Sequence, residues 1–194
     1  MDISELLEKF RSVEYHYPDV VWHDVRLRVL RPILTEKLVD FNPEDFEELL
    51  RSDWFMWPRV IEQTLQQILG ENDFNEVKLR LLNLFLGKGS IEKRLQDVLN
   101  LRGIGVFLAS QFLSAVDEDY IIYHRRVLEG IRELLPHLDD WGILPENVKT
   151  AEDYLRFNDI CRSIRDRFGF KSLGEVHEFF WHGHEKNWQF NSNP

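Results

Sequence analysis

The stretch Leu99-Asn100-Leu101-Arg102-Gly103-Ile104-Gly105-Val106-Phe107-Leu108-Ala109-Ser110 decides the fold of this chain. It predicts that one helix ends near Leu99, that a Gly-x-Gly turn follows, and that a second helix begins at about Val106. The two glycines permit positive φ and let a ligand approach the backbone closely. The free N–H groups at the start of the second helix, with its dipole, are typical of an anion site. A tight turn between two helices that binds no ligand is the alternative interpretation.

Helical signals extend outward from this turn over nearly all of the 194 residues. Apolar residues recur at helical spacing, capping residues precede these runs, and glycines follow them. The predicted helix starts are at Asn42-Pro43, Pro58, Ser90 and residues 150–153 and 172–175, and the predicted helix ends are at Gly70, Gly87 and Gly169. The segment Ile121-Ile122-Tyr123 favours β-structure but is too short to found a sheet. We therefore predict an all-α protein of about nine to eleven helices in two packed lobes. They form one domain over residues 1–190, with a disordered tail at 191–194.

The composition excludes several classes of protein. A single cysteine excludes an intrachain disulfide and a cysteine-based zinc cluster. No apolar stretch approaches the ~18 residues of a membrane span, and the N-terminus lacks the pattern of a signal peptide. These features predict a cytoplasmic protein that makes no membrane contact.

Charge is distributed unevenly along the chain. The net charge is -10, yet the window 78–132 contains more bases than acids. The net negative charge argues against a protein that binds nucleic acids nonspecifically over its whole surface. The excess of bases in the window 78–132, called the basic strip here, favours local contact with a polyanion. A chance clustering of bases is the alternative.

The Gly-x-Gly stretch resembles the helix-hairpin-helix motif in its Leu-x-Gly-(Ile/Val)-Gly-x-x-x-Ala form, which binds the DNA backbone without regard to sequence. The hairpin here spans residues 90–116. The basic segment 119–128 resembles the part of the helix-hairpin-helix DNA glycosylase superfamily that follows the hairpin. The resemblance is good over 79–135 and looser over 46–181. It implies a glycosylase-like fold and a duplex DNA backbone as partner.

Three departures from that superfamily bear on activity. Phe107 stands where the lyase-competent members carry a nucleophilic lysine, and an aromatic ring cannot form a Schiff base. His124 stands at the position of the catalytic aspartate, and the nearest carboxylates are Asp117 and Asp119. A four-cysteine cluster-binding loop is absent from the sequence. The resemblance therefore implies a retained scaffold without base-excision chemistry.

A closer resemblance is to catalytically degenerate prokaryotic modules of this fold that are associated with restriction and defence systems. The residues that carry it are Trp54 or Trp57, Gly103-Ile104-Gly105, the segment 120–124, Tyr154-Leu155-Arg156-Phe157 and Phe179-Phe180-Trp181. This resemblance implies a role in DNA binding or assembly rather than bond cleavage.

The first functional hypothesis is a non-catalytic, sequence-independent DNA-binding protein. The residues predicted to contact DNA are Arg102, Gly103, Ile104, Gly105, Val106, Lys93, Arg94, Arg125 and Arg126. The resemblance implies that a potassium or sodium ion can bridge the carbonyls of Leu101 and Gly103 to a phosphate, and no other cofactor is expected. The second hypothesis is a glycosylase with an atypical site built from His124, Asp119 or Asp117. The third is a protein-interaction scaffold with a vestigial hairpin, whose partner is another protein or a second copy of the chain.

Two groups of histidines are candidate metal ligands. The first comprises His177, Glu178, His182 and His184, and the second comprises His16, His23 and Asp24. Neither group has the His-Glu-x-x-His spacing that places two histidines and a carboxylate on one helix face. The sequence favours structural or solvent-facing histidines, and no metal held by side chains is predicted. Trp188 and Phe190, near the end of the chain, are expected to pack either on the body or on a partner.

Overall fold

The computed structural model describes residues 2–13, 17–55, 61–136 and 144–190. Within them the chain forms ten α-helices, one π-helical turn and one 3-10 turn, and no strand. The helices are α1 (Ile3–Ser12), α2 (Tyr17–Pro32), α3 (Pro43–Arg51), α4 (Ile61–Glu71), α5 (Phe74–Leu86), α6 (Ile91–Leu99), α7 (Val106–Ser114), α8 (Arg125–Leu134), α9 (Ala151–Phe168) and α10 (Leu173–Glu185). The all-α prediction and the predicted number of helices are confirmed for these residues. The predictions for His16, Trp57, Pro58 and the tail 191–194 fall outside the described residues.

Capping residues begin α3 and α9, and end α9, where the sequence predicts them, whereas Gly70, a predicted helix end, lies inside α4. Asn42 accepts a hydrogen bond from the Asp45 N–H at 2.8 Å, and the Asp45 carboxylate accepts one from the Asn42 N–H at 3.0 Å. This reciprocal capping box starts α3, and Thr150 and Asp153 form the same box at the start of α9. Gly169 ends α9 with a φ of 71°, a left-handed conformation that glycine adopts without a Cβ clash.

The predicted capping box at 172–175 forms in one half only. Ser172 accepts a hydrogen bond from the Glu175 N–H at 3.1 Å, as predicted. The Glu175 carboxylate instead accepts from Arg11 of α1, at 2.7 and 2.8 Å, and from the Lys171 N–H at 2.6 Å. A long-range ion pair has therefore replaced the local contact and ties α1 to the start of α10.

The end of α2 departs from regular α-helix. Pro32 has no N–H to donate, so the preceding turn loses one hydrogen bond. A π-helical turn, Ile33–Lys37, and a 3-10 turn, Leu38–Asp40, follow directly. These irregular turns redirect the chain towards α3, and they pack against α5.

Helix α10 lies at the centre of the packing and contacts α8, α2 and α9. Gly130 lets α8 approach closely, since a Cβ there would lie 2.8 Å from the Phe180 carbonyl oxygen. After α10 the chain turns back, and the buried rings of Trp188 and Phe190 lie 5.7 and 5.6 Å from the ring of Phe179. The two aromatics near the end of the chain therefore pack on the body of the protein.

The segment that precedes α8 is extended without belonging to a sheet. The Ile121 N–H donates to Asn158 Oδ1 at 2.9 Å, and the Tyr154 hydroxyl donates to the Ile121 carbonyl at 2.9 Å. The Tyr123 N–H donates to Ser110 Oγ at 2.9 Å. Side chains of α7 and α9 thus satisfy the backbone groups that a strand would pair, and they fix the position at which α8 begins.

Candidate nucleic-acid interface

The predicted hairpin is formed by α6, a turn at residues 100–105, and α7. Gly103 has a φ of 82°, and a Cβ at this position would lie 2.8 Å from Ile68 Cγ1 and 2.9 Å from the Thr64 carbonyl oxygen. Both the backbone conformation and the close approach to α4 require glycine here. The second glycine, Gly105, is exposed, and a Cβ there would meet no atom within 4 Å.

Asn72 holds the main chain of the turn in place. Its amide Nδ2 donates to the Arg102 carbonyl at 3.0 Å, and its Oδ1 accepts from the Arg102 N–H at 2.9 Å. The same amide group donates to the Ile68 carbonyl at the end of α4, at 2.9 Å. The turn is therefore anchored on α4, while the Arg102 side chain is exposed to solvent.

The start of α7 carries no side-chain cap. Gly105 is the N-cap residue, with φ of -90° and ψ of 176°, and it has no side chain that can accept a hydrogen bond. No described residue forms a hydrogen bond with the N–H groups of Val106, Phe107 or Leu108. These donors and the positive end of the helix dipole lie next to a surface groove that is lined by the turn, Arg102 and Glu71.

The N-termini of α7 and α8 lie side by side. Phe107, in the first turn of α7, makes an edge contact with His124 at 5.7 Å between ring centroids. His124 is the N-cap residue of α8, where its Nδ1 accepts from the Arg126 N–H at 3.2 Å. Arg125 and Arg126, which open α8, are thus brought close to the hairpin.

The predicted basic residues differ in how freely their charges are available. The Arg125 side chain is 81% exposed and pairs with Glu129 at 2.7 Å, a surface pair that is worth little free energy. Arg126 pairs with Glu185 at 2.6 Å and lies over the Trp181 ring.

Two further basic residues of the prediction lie on α6. The Arg94 guanidinium donates to the carbonyls of Leu84 and Gly89, at 2.5 and 3.0 Å. It therefore satisfies backbone acceptors at and just after the C-terminal end of α5. Lys93 is exposed beside a groove that also contains Asp97 and Glu152. Arg94 therefore has a structural role, and acids surround Lys93.

The three candidate catalytic residues do not form a common cluster. Burial, together with the charges of His177 and Arg126, lowers the pKa of His124 to about 4, so its imidazole is neutral at pH 7. Asp119 Oδ1 lies 3.3 Å from an Arg165 nitrogen, and Asp117 accepts a hydrogen bond from the Asp119 N–H. Among the described residues, no hydrogen bond or ion pair joins His124 to either aspartate.

A buried arginine that no sequence motif indicates fixes the far end of α7. Arg26 of α2 is 1% exposed and donates to the carbonyls of Trp54 and Gln111, at 2.5 and 2.6 Å, and to Ser114 Oγ at 2.9 Å. Burial lowers its pKa to about 9, which still leaves it protonated at pH 7. Its charge lies at the negative C-terminal end of the helix dipole of α7. In the sequence Arg26 is one of three arginines of α2, and its apolar neighbours do not distinguish it from Arg28.

Three histidines, one from the second candidate group and two from the first, converge on Glu178. His23 Nε2 lies 2.7 Å, and His177 Nδ1 2.9 Å, from Glu178 Oε1. His182 Nε2 lies 3.2 Å from the other oxygen, Oε2. Desolvation acts to raise the pKa of Glu178, but the contacts with these histidines outweigh it and hold the pKa well below its usual range.

The remaining described members of the two groups, His184 and Asp24, lie outside this cluster. His184 contacts Glu133 at 3.0 Å instead, and Asp24 is exposed. The convergence of His23 with α10 joins residues that are 155 positions apart.

Comparison of the chain with models of known protein families, with curated proteins and with solved structures finds no match. The function must therefore be argued from the geometry of this chain. None of the helices in the described part of the chain is both long and apolar enough to cross a membrane.

Proposed function

We propose that this protein binds the backbone of duplex DNA through its hairpin and performs no chemistry on it. The observation that carries the proposal is the pairing of two helix N-termini, joined by the Phe107–His124 contact. One of them, that of α7, presents backbone donors with no partner among the described residues. The other begins with two arginines. Unpaired helix donors next to arginine side chains form a site for a phosphate group.

In this arrangement one phosphate accepts hydrogen bonds from the N–H groups of Val106 and Phe107. In the same proposal Arg102 and Arg125 neutralise phosphate charge, since the first is exposed and the second leaves only a surface ion pair. A potassium or sodium ion at the Gly103 carbonyl and the Leu101 carbonyl, which accepts a 3.3 Å hydrogen bond from Ile104, is part of the same proposal. All of these contacts are to the backbone, so little sequence preference is expected.

The affinity is expected to be weak. Few phosphates are neutralised, and the chain has a net charge of -10 that repels DNA at long range. Each neutralised phosphate adds about 0.9 to the slope of log K against log salt, so a site with two or three phosphates has a slope of about -2 to -3.

The proposal is tested by titrating a fluorescently labelled duplex with the protein and following the anisotropy at several salt concentrations. Arg102→Ala is expected to weaken binding and to make the salt slope shallower by about 0.9, because one phosphate contact is lost. Lys9→Ala is the matched control, since it removes the same charge from an exposed position on α1. If the wild-type protein leaves the anisotropy unchanged at low salt, or if both variants behave alike, the proposal is wrong. A dimer that forms with increasing concentration, without DNA binding, would instead support the scaffold hypothesis.

A further inference from the structure

We propose that His23, His177 and Glu178 form a binding site for a divalent first-row transition metal ion, with zinc as its simplest occupant. This site is separate from the hairpin and does not depend on DNA binding. Each of the three residues offers a ligand atom, and these atoms all lie within 4.8 Å of one another. The glutamate oxygen is already 2.7 Å from His23 Nε2 and 2.9 Å from His177 Nδ1.

The spacing of the donors fits an ion of this size. Zinc binds imidazole nitrogen and carboxylate oxygen at about 2.0–2.2 Å, which places neighbouring ligands of a tetrahedral site about 3.3–3.5 Å apart. The separations of 2.7 and 2.9 Å need to open by about 0.4–0.8 Å, and the two histidine ligand atoms, which lie within 4.8 Å of each other, need to take up a similar separation. This change is within reach of small rotations of three side chains.

The second observation is a buried nitrogen without a partner. His177 is 1% exposed, and its Nε2 has no hydrogen-bond partner among the described residues, while Nδ1 is held by Glu178. No placement of the ring proton satisfies both nitrogens, so the imidazole keeps an unmet polar atom in the interior. Hydrogen bonding within the cluster therefore leaves His177 unsatisfied, which distinguishes it from a histidine with a purely structural role.

The surroundings also hold the ligands in place. Gly174 makes room for His23, because a Cβ there would lie 2.7 Å from His23 Cβ. His182 Nε2 contacts the second oxygen of Glu178 at 3.2 Å and so orients the carboxylate. Such outer contacts normally accompany the ligands of protein metal sites.

The donor set selects the class of metal. Two imidazoles and one carboxylate suit zinc, cobalt or iron, whereas calcium and magnesium prefer oxygen ligands throughout. The charge of Arg26 acts on His23 and opposes a cation, which predicts moderate rather than extreme affinity. Because His23 belongs to α2 and the other two ligands to α10, a bound ion would cross-link these helices.

The experiment uses untagged protein that has been stripped of metal with a chelator. Titration with Co²⁺ is followed by its visible absorption, and Zn²⁺ is then added as a competitor. We expect one equivalent of Co²⁺ to bind with the absorption of a low-coordinate site, Zn²⁺ to displace it, and the thermal midpoint to rise with either ion. A folded wild-type protein that binds neither ion would overturn the proposal.

Variants place the ion at the cluster. His23→Gln and Glu178→Gln each remove one ligand and are expected to weaken Co²⁺ binding at least tenfold. His184→Gln is the matched control, because it removes a histidine of α10 that contacts Glu133 instead. If binding survives in the first two variants or is lost in the control, the ion lies elsewhere and the proposal is wrong. Circular dichroism of each variant separates loss of a ligand from loss of the fold.

Discussion

Replacement of Gly105 by aspartate is expected to stabilise the protein and to abolish most of the DNA binding proposed above. Gly105 has the extended backbone of an N-cap residue, and a Cβ at this position meets no atom within 4 Å. An aspartate fits there without strain, and its carboxylate can accept hydrogen bonds from the N–H groups of Phe107 and Leu108. The same carboxylate occupies the place proposed for a phosphate.

The two effects have opposite signs and separable sizes. The new cap and its interaction with the helix dipole are expected to add about 0.5–1 kcal/mol to the free energy of unfolding, or about 1–4 °C to the midpoint. Loss of charge-assisted hydrogen bonds to the phosphate, with repulsion added, is expected to cost about 2–3 kcal/mol of binding. This corresponds to about 30- to 150-fold weaker affinity.

The assay combines thermal unfolding with anisotropy titration of a labelled duplex at constant low salt. Gly105→Asn is the control for capping, because asparagine caps the helix equally well without adding charge. Gly105→Ala is the control for the side chain alone, and its affinity is expected to stay within about twofold of wild type. An aspartate variant that is more stable yet binds DNA as tightly as wild type would refute the assignment of the phosphate to the start of α7. An aspartate variant that gains no stability would show that the N–H groups of α7 are not available.

Three further predictions concern stability. Arg26→Lys is expected to lower the free energy of unfolding, measured by chemical denaturation, by about 2–4 kcal/mol, because an ammonium group cannot reach all three acceptors of the buried guanidinium. The control Arg28→Lys, at an exposed position, should lower it by less than about 0.5 kcal/mol. Burial lowers the pKa of His124 to about 4. Between about pH 6.5 and pH 4 this histidine is therefore protonated in the unfolded chain but neutral in the folded protein. Because the unfolded state binds the extra proton, the free energy of unfolding falls as the pH drops through this range. Because His124 is partly exposed to solvent, the expected loss in the free energy of unfolding is only about 1–2 kcal/mol. The variant His124→Asn retains an N-cap residue and should flatten this part of the curve of stability against pH. Gly103→Ala should cost about 1–3 kcal/mol, because it places a Cβ at positive φ and 2.8 Å from Ile68; an equal stability of variant and wild type would contradict the packing of the turn on α4.

The sequence alone determined the local features of this protein. The caps at Asn42, Ser90 and Thr150, the left-handed Gly169 and the hairpin around Gly103 were all predictable. Each depends on residues within about four positions of one another, and the chemistry of such short segments is set by their own hydrogen bonds and φ restrictions.

The tertiary structure alone decided which distant side chains meet. His23 reaches Glu178 across 155 positions, and Arg26 reaches the Gln111 carbonyl across 85 positions. It also decided which basic side chains of the window 78–132 are exposed to solvent and which are bound within the protein. The Arg94 side chain is hydrogen-bonded to the end of α5, whereas the Arg125 side chain is exposed. Such pairings depend on how amphipathic helices pack against one another, and many packings share the same pattern of apolar residues. For that reason the sequence could predict the two-glycine turn of the hairpin but not the meeting of two histidines and a glutamate between α2 and α10.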